Sequence, residues 1–188
     1  MCNTCRSSGD SLWPLSRKNY PKQFMNIKEG RSLLQETVVR NMPFCDEFII
    51  VTKESYRNIV NGQMKAFQSL KYRVVLEGSP KGTAAAIMLG SQFCNQSELV
   101  FVVTADNLIE GQEYKDAILR AKELAKQGSI VALGVKPAKK NSNFGYLLRD
   151  EENVLKFIEK IRLDDDEALA MTMDFYGTAV CFYTVQGI

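Results

Sequence analysis

Short apolar runs alternate along this chain with longer stretches whose apolar residues recur every three or four positions. Glu47-Phe48-Ile49-Ile50-Val51-Thr52 is such a run, closed by a polar residue, and predicts a buried strand. From Glu54 to Ser69 the residues Tyr56, Ile59, Val60, Met64 and Phe67 keep helical spacing and predict a helix with one core-facing stripe. Tyr72 to Glu77 reads as the next strand. Gly78-Ser79-Pro80-Lys81-Gly82 is a turn, and Thr83 is expected to cap an alanine-rich helix through Leu89. Glu98 to Asp106 is the clearest strand, buried on both faces until Asp106 at its carboxyl end. Gln112 to Gln127 is amphipathic, and Ser129 to Val135 is another apolar strand. Ahead of all these, Ser32-Leu33-Leu34-Gln35 fits a capping box that opens a helix to Arg40.

Strand and helix therefore alternate, which predicts an α/β fold. The expected form is Rossmann-like: a mostly parallel central sheet, right-handed crossovers and helices on both faces. Met1 to Cys5 is short and not very apolar, which reads either as a stunted first strand or as a chain that begins part-way through it. Beyond Pro137 the texture changes. Phe144 to Arg149 and Val154 to Lys160 predict a hairpin around Asp150-Glu151-Glu152-Asn153. Asp164 to Met173 reads as a short helix and Gly177 to Tyr183 as a last strand, so short antiparallel strands are expected in the C-terminal part.

Composition removes several classes of function. The chain has 188 residues, enough for one domain with a real core, and 45% of them are hydrophobic. No long uncharged apolar run suggests a membrane span, and the first residues lack the apolar core of a signal peptide, so the cytoplasm is the expected compartment. A net charge of +2 gives no reason to expect nucleic acid or a membrane surface as partner. The sequence contains no histidine, which excludes a Ser-His-Asp triad, a histidine base and histidine-liganded metal. Cys2-x-x-Cys5 has no second CxxC to complete a tetrahedral zinc site.

The candidate chemistry begins at Ser7-Ser8-Gly9-Asp10-Ser11. Small residues around Gly9 let backbone N–H groups approach an anion, and Lys22 adds a mobile positive charge; the loop suits a polyphosphate, or is an ordinary turn packed on Trp13. Asp106, at a strand end, has the chemistry to hold a divalent ion, or caps a turn. The start of the helix at Gly82-Thr83 offers N–H groups, with alanines leaving room for a flat base, or is a plain connection.

Leu12-Trp13-Pro14-Leu15-Ser16-Arg17, followed by Tyr20-Pro21-Lys22-Gln23-Phe24, resembles the signature of the mannose-1-phosphate guanylyltransferase (GDP-mannose pyrophosphorylase) family of sugar nucleotidyltransferases. Leu76 to Ile87 resembles that family's Leu-Glu-Pro-x-x-Arg-Asn-Thr-Ala-Pro-Ala-Ile, Thr104-Ala105-Asp106-Asn107 its Pro-Ala-Asp-His, and Phe157-Ile158-Glu159-Lys160 its Phe-Val-Glu-Lys-Pro. Ser11 stands where the family has its loop arginine, and Arg6 and Ser7 stand where it has two glycines.

The resemblance implies transfer of a nucleotidyl group from GTP to mannose 1-phosphate, giving GDP-mannose and pyrophosphate, with Mg²⁺ as cofactor. It implies Lys22 and Asp106 as catalytic residues, with Asp106 also the metal ligand. Gly9, Glu77, Gly82 and Thr83 would bind the nucleotide, and Gly145, Glu159 and Lys160 the sugar phosphate. The motifs span nearly all 188 residues but about the first half or more of the family's catalytic domain. The expected organisation is one nucleotidyltransferase-like domain, residues 1–188, without that domain's C-terminal portion. A homodimer is compatible with this reading. The departures in the phosphate loop define an alternative: a degenerate relative that binds nucleotide or sugar phosphate without turnover.

Overall fold

A computed structural model describes residues 2–5, 12–79, 81–135, 146–158 and 175–184. The strands are β1 (Cys2–Cys5), β2 (Asn26–Lys28), β3 (Arg31–Ser32), β4 (Phe48–Lys53), β5 (Tyr72–Glu77), β6 (Leu99–Thr104), β7 (Val131–Val135), β8 (Tyr146–Asp150), β9 (Asn153–Ile158) and β10 (Phe175–Thr184). The helices are α1 (Leu33–Asn41), α2 (Arg57–Met64), α3 (Thr83–Ser91) and α4 (Gln112–Lys126). The chain divides into two compact units, Met1–Val131 with Cys181–Ile188, and Ala132–Val180.

In the first unit the strands lie in the order β5-β4-β1-β6, all parallel. Strand β4 shows why helices cover both faces. Successive side chains of a strand point to opposite sides. Phe48 and Ile50 join Leu34, Val38, Val60 and Met64 of α1 and α2 in one core. Ile49 and Val51 join Ala86 of α3, with Val100 and Val102 of β6, in the other. Such two-sided burial is what the continuous apolar runs predicted. In the second unit β8 and β9 form the expected antiparallel hairpin, and β10 pairs antiparallel with β8. The predicted helix over Asp164 to Met173 lies outside the described residues.

The capping box at Ser32 is present. Gln35 N–H donates to Ser32 Oγ at 3.2 Å, and Ser32 N–H donates to Gln35 Oε1 at 3.0 Å. Ser32→Ala should cost about 1 kcal/mol of stability, read as a lower urea midpoint at unchanged slope.

Two local expectations are corrected. The helix expected from Glu54 to Ser69 is a 3₁₀ turn, Glu54–Tyr56, leading into an α-helix that closes at Met64. Ala66 and Phe67 then donate to carbonyls three residues back, which tightens the chain into turns while Phe67 still packs on the core. Gly62, a poor helix former, sits near this end. At α3 the N-cap is Gly82, and Thr83 is the first helical residue. Gly82 has φ +103°, a conformation that L side chains rarely adopt, so a substitution there is strained whatever space is available.

A cavity of about 570 Å³ opens at the amino ends of β4 and β6, bordered by Cys45, Glu47, Cys94, Glu98, Phe101 and Lys126. Burial pushes both thiols above their ordinary pKa, so less of each is thiolate at neutral pH. Asp106 follows the opposite, carboxyl end of β6, so this cavity is separate from the predicted chemistry.

Candidate active site

In a parallel sheet, ligands bind beyond the carboxyl ends of the strands. Two predicted site residues stand at those ends. Glu77 is the last residue of β5 and is buried. Asp106 lies two residues past the end of β6, after the buried Ala105. Strands β5 and β6 flank the row of four, which puts their ends roughly 14 Å apart at the usual spacing between strands. Gly82 and Thr83 follow β5 at the start of α3, on Glu77's side of this mouth. Gly9 follows β1, the strand between β4 and β6, but lies outside the described residues, as do Gly145, Glu159 and Lys160.

Lys22 reaches Asp106. Its Nζ is 2.9 Å from Asp106 Oδ2, and the two side chains keep 22% and 30% of their surface exposed. A partly open ion pair at a strand end can reorganise around an incoming anion, because its desolvation cost is small. Lys22 belongs to a 3₁₀ turn, Lys22–Phe24. That turn is fixed on both sides. Lys22 N–H donates to the Oγ of buried Ser16 at 2.9 Å. The Phe24 carbonyl accepts from Tyr20 OH at 2.7 Å and from Gln63 Nε2 at 2.8 Å. The Phe24 ring meets Tyr56 edge-on, with centroids 5.4 Å apart, while Tyr56 OH donates to the Lys18 carbonyl at 2.8 Å. The lysine therefore stands on a rigid platform anchored in the core.

Several of these residues carry no signal in the sequence. Tyr56 is legible as a core residue, but its hydroxyl contact spans 38 positions. Gln63, on α2, reads as a solvated helix position, yet it also accepts from Ser32 Oγ at 2.6 Å. Gln23 is buried beside Lys22, and neither polar atom of its amide has a hydrogen-bond partner among the described residues. Arg17 donates from Nε to the Pro14 carbonyl at 3.1 Å, so that edge of its guanidinium is engaged within its own loop.

Among the described residues there is no group of three or more potential metal ligands. The donor set at Asp106 is a single carboxylate, which does not fit an all-protein metal cage. It does fit Mg²⁺, which takes one or two carboxylates and completes its shell with phosphate oxygens and water. No helix among the described residues is long and apolar enough to cross a membrane.

A family model described as Nucleotidyl transferase matches residues 7–185. The mannose-1-phosphate guanylyltransferase ManC of Salmonella typhimurium (strain LT2) is 31% identical over 192 residues, covering 93% of this chain and 40% of that protein. The mannose-1-phosphate guanylyltransferase of Escherichia coli (strain K12) is 30% identical at the same coverage. The chain thus spans about 40% of the length of these curated relatives. A crystal structure titled mannose-6-phosphate isomerase from Helicobacter pylori superposes with TM-score 0.87 at 30% identity, over 99% of this chain and 71% of that one. One titled mannose-1-phosphate geranyltransferase, from Thermus thermophilus, superposes with TM-score 0.84 at 24% identity, over 99% and 57%.

Proposed function

Because the chain belongs to the nucleotidyl transferase family, we propose that it transfers a guanylyl group from GTP to mannose 1-phosphate, giving GDP-mannose and pyrophosphate. The observation that carries this reading is the Lys22–Asp106 pair at the carboxyl ends of a parallel sheet. In this reaction an oxygen of the sugar phosphate attacks the α-phosphorus of the nucleotide. A new P–O bond forms as the bond to pyrophosphate breaks, and negative charge builds on the departing oxygens. Positioning and charge neutralisation supply most of the rate.

Lys22 binds the triphosphate and meets that charge as an ammonium on a fixed base. Asp106 holds Mg²⁺, which when bound neutralises phosphate charge as a Lewis acid. Glu77, Gly82 and Thr83 border the base, and Gly9 takes the phosphates on sequence grounds. Gly145, Glu159 and Lys160 take the sugar phosphate on sequence grounds. The nucleotide and sugar are those named for the curated relatives. This reading carries with it a cytoplasmic location and is compatible with a homodimer.

The test is pyrophosphate release from GTP and mannose 1-phosphate with Mg²⁺, beside thermal-shift screening of other nucleoside triphosphates and hexose 1-phosphates. Turnover supports the proposal. Lys22→Met should then lower kcat by about 10²–10³-fold, the usual effect of losing one preorganised charge contact. Ser11, in place of an arginine, favours the second reading of a binding protein without turnover. A melting point raised by GTP with no pyrophosphate released would select it.

A further inference from the structure

We propose that Arg40 is a positioning residue for the Asp106 carboxylate, a role that rests on the transfer reading above. Arg40 lies in the last turn of α1. Its Nη1 donates to the main-chain carbonyl of Asn107 at 3.2 Å, directly after Asp106. Its Nη2 donates to Thr37 Oγ1 at 3.4 Å, and its Cζ stands 5.4 Å from the centroid of the Tyr114 ring. The guanidinium therefore joins three elements: α1, α4 and the turn that follows β6.

Each support is itself held. Tyr114 OH donates to Asn41 Oδ1 at 2.8 Å, and the buried Asn41 donates from Nδ2 to the Thr37 carbonyl at 2.7 Å. Within the turn, Asn107 Nδ2 donates to Thr104 Oγ1 at 2.8 Å. That bond closes the turn on itself, whereas Arg40 ties it to the helical layer. Asp106 itself is met by Lys22. The two cations thus have separate duties: Lys22 touches the carboxylate, while Arg40 holds the carbonyl of the residue that follows it. Two donors set apart on a plane that also stacks on a ring require a guanidinium. A carboxylate displaced by about 1 Å would cost about 10²-fold in rate.

Arg40→Met should lower kcat for pyrophosphate release by about 10–100-fold, the usual cost of removing a group that orients a metal ligand. KM for the nucleotide should change less than about threefold, because Arg40 holds the turn rather than the nucleotide. Mn²⁺ binding to the protein–GTP complex, followed by electron paramagnetic resonance without turnover, should weaken by a similar factor of about 10–100. Arg40→Lys should recover part of both losses, and it serves as the working variant should Arg40→Met melt below the assay temperature. In an Asp106→Asn background, Arg40→Met should add little further loss of Mn²⁺ affinity, since both changes act on one carboxylate. Wild-type turnover with Arg40→Met unchanged in kcat and Mn²⁺ affinity would overturn the positioning role alone. So would a fully additive loss in the double variant. A wild-type protein with neither turnover nor Mn²⁺–GTP binding would overturn the transfer reading, and this role with it.

Discussion

Asp106→Asn should reduce pyrophosphate release by about 10²–10³-fold while the protein melts almost where the wild type does. The two halves of this expectation have different causes. Asparagine keeps the shape of the side chain and removes its charge. With that charge go the only proposed metal ligand and the partner of Lys22. The fold loses little, because a pair with 22% and 30% of its side-chain surfaces exposed is screened by water and contributes at most about 1 kcal/mol. Steady-state kinetics and a thermal melt on one preparation separate the effects. Near-normal turnover would remove Asp106 from the mechanism. A large drop in melting point would make it a structural residue.

Phe24→Ala should have the opposite profile, with stability failing first. Phe24 is fully buried and packs with Leu34, Val38, Phe48, Ile50 and Tyr56. Truncating such a ring costs about 3–5 kcal/mol, part from lost burial and part from the cavity left behind. The loss should appear as a lowered urea midpoint at unchanged slope. Its functional effect follows through the backbone. The Phe24 carbonyl receives hydrogen bonds from Tyr20 and Gln63, and Lys22 lies two residues before it in the same 3₁₀ turn. Below the new midpoint the residual folded protein should bind GTP more weakly. Unchanged affinity would show that Lys22 keeps its place without the ring beneath it.

The strands and helices of the first unit were legible because apolar runs and helical stripes report burial directly. Phe48 to Thr52 and Val100 to Val103 are buried, as near-continuous runs rich in β-branched residues are in parallel sheets. The cap at Ser32 was legible because its partner lies three residues away. The handover from Gly82 to Thr83 was not: both residues suit a helix start, and the sign of a glycine's φ leaves no trace in composition. Nor was the support around Asp106. Arg40 and Asn107 are 67 positions apart, and Tyr114 and Asn41 are 73. An arginine in the last turn of an amphipathic helix ordinarily reads as a favourable charge at the helix end. Only the folded chain shows that its guanidinium turns inward to a carbonyl. Motifs that resemble those of known enzymes named Lys22 and Asp106; the scaffold that presents them was hidden because it is assembled from distant, individually ordinary residues.

Strand β1 also sets a schedule for synthesis. Cys2 pairs with Ile49 on one side and with Val102 on the other. Strand β1 is made before either neighbour, so its residues wait for partners about 50 and about 100 positions downstream. Pairings of such long range form slowly, and an unpaired strand edge invites wrong partners in the meantime. Translation must carry the nascent chain through β6 before the middle of the sheet can close.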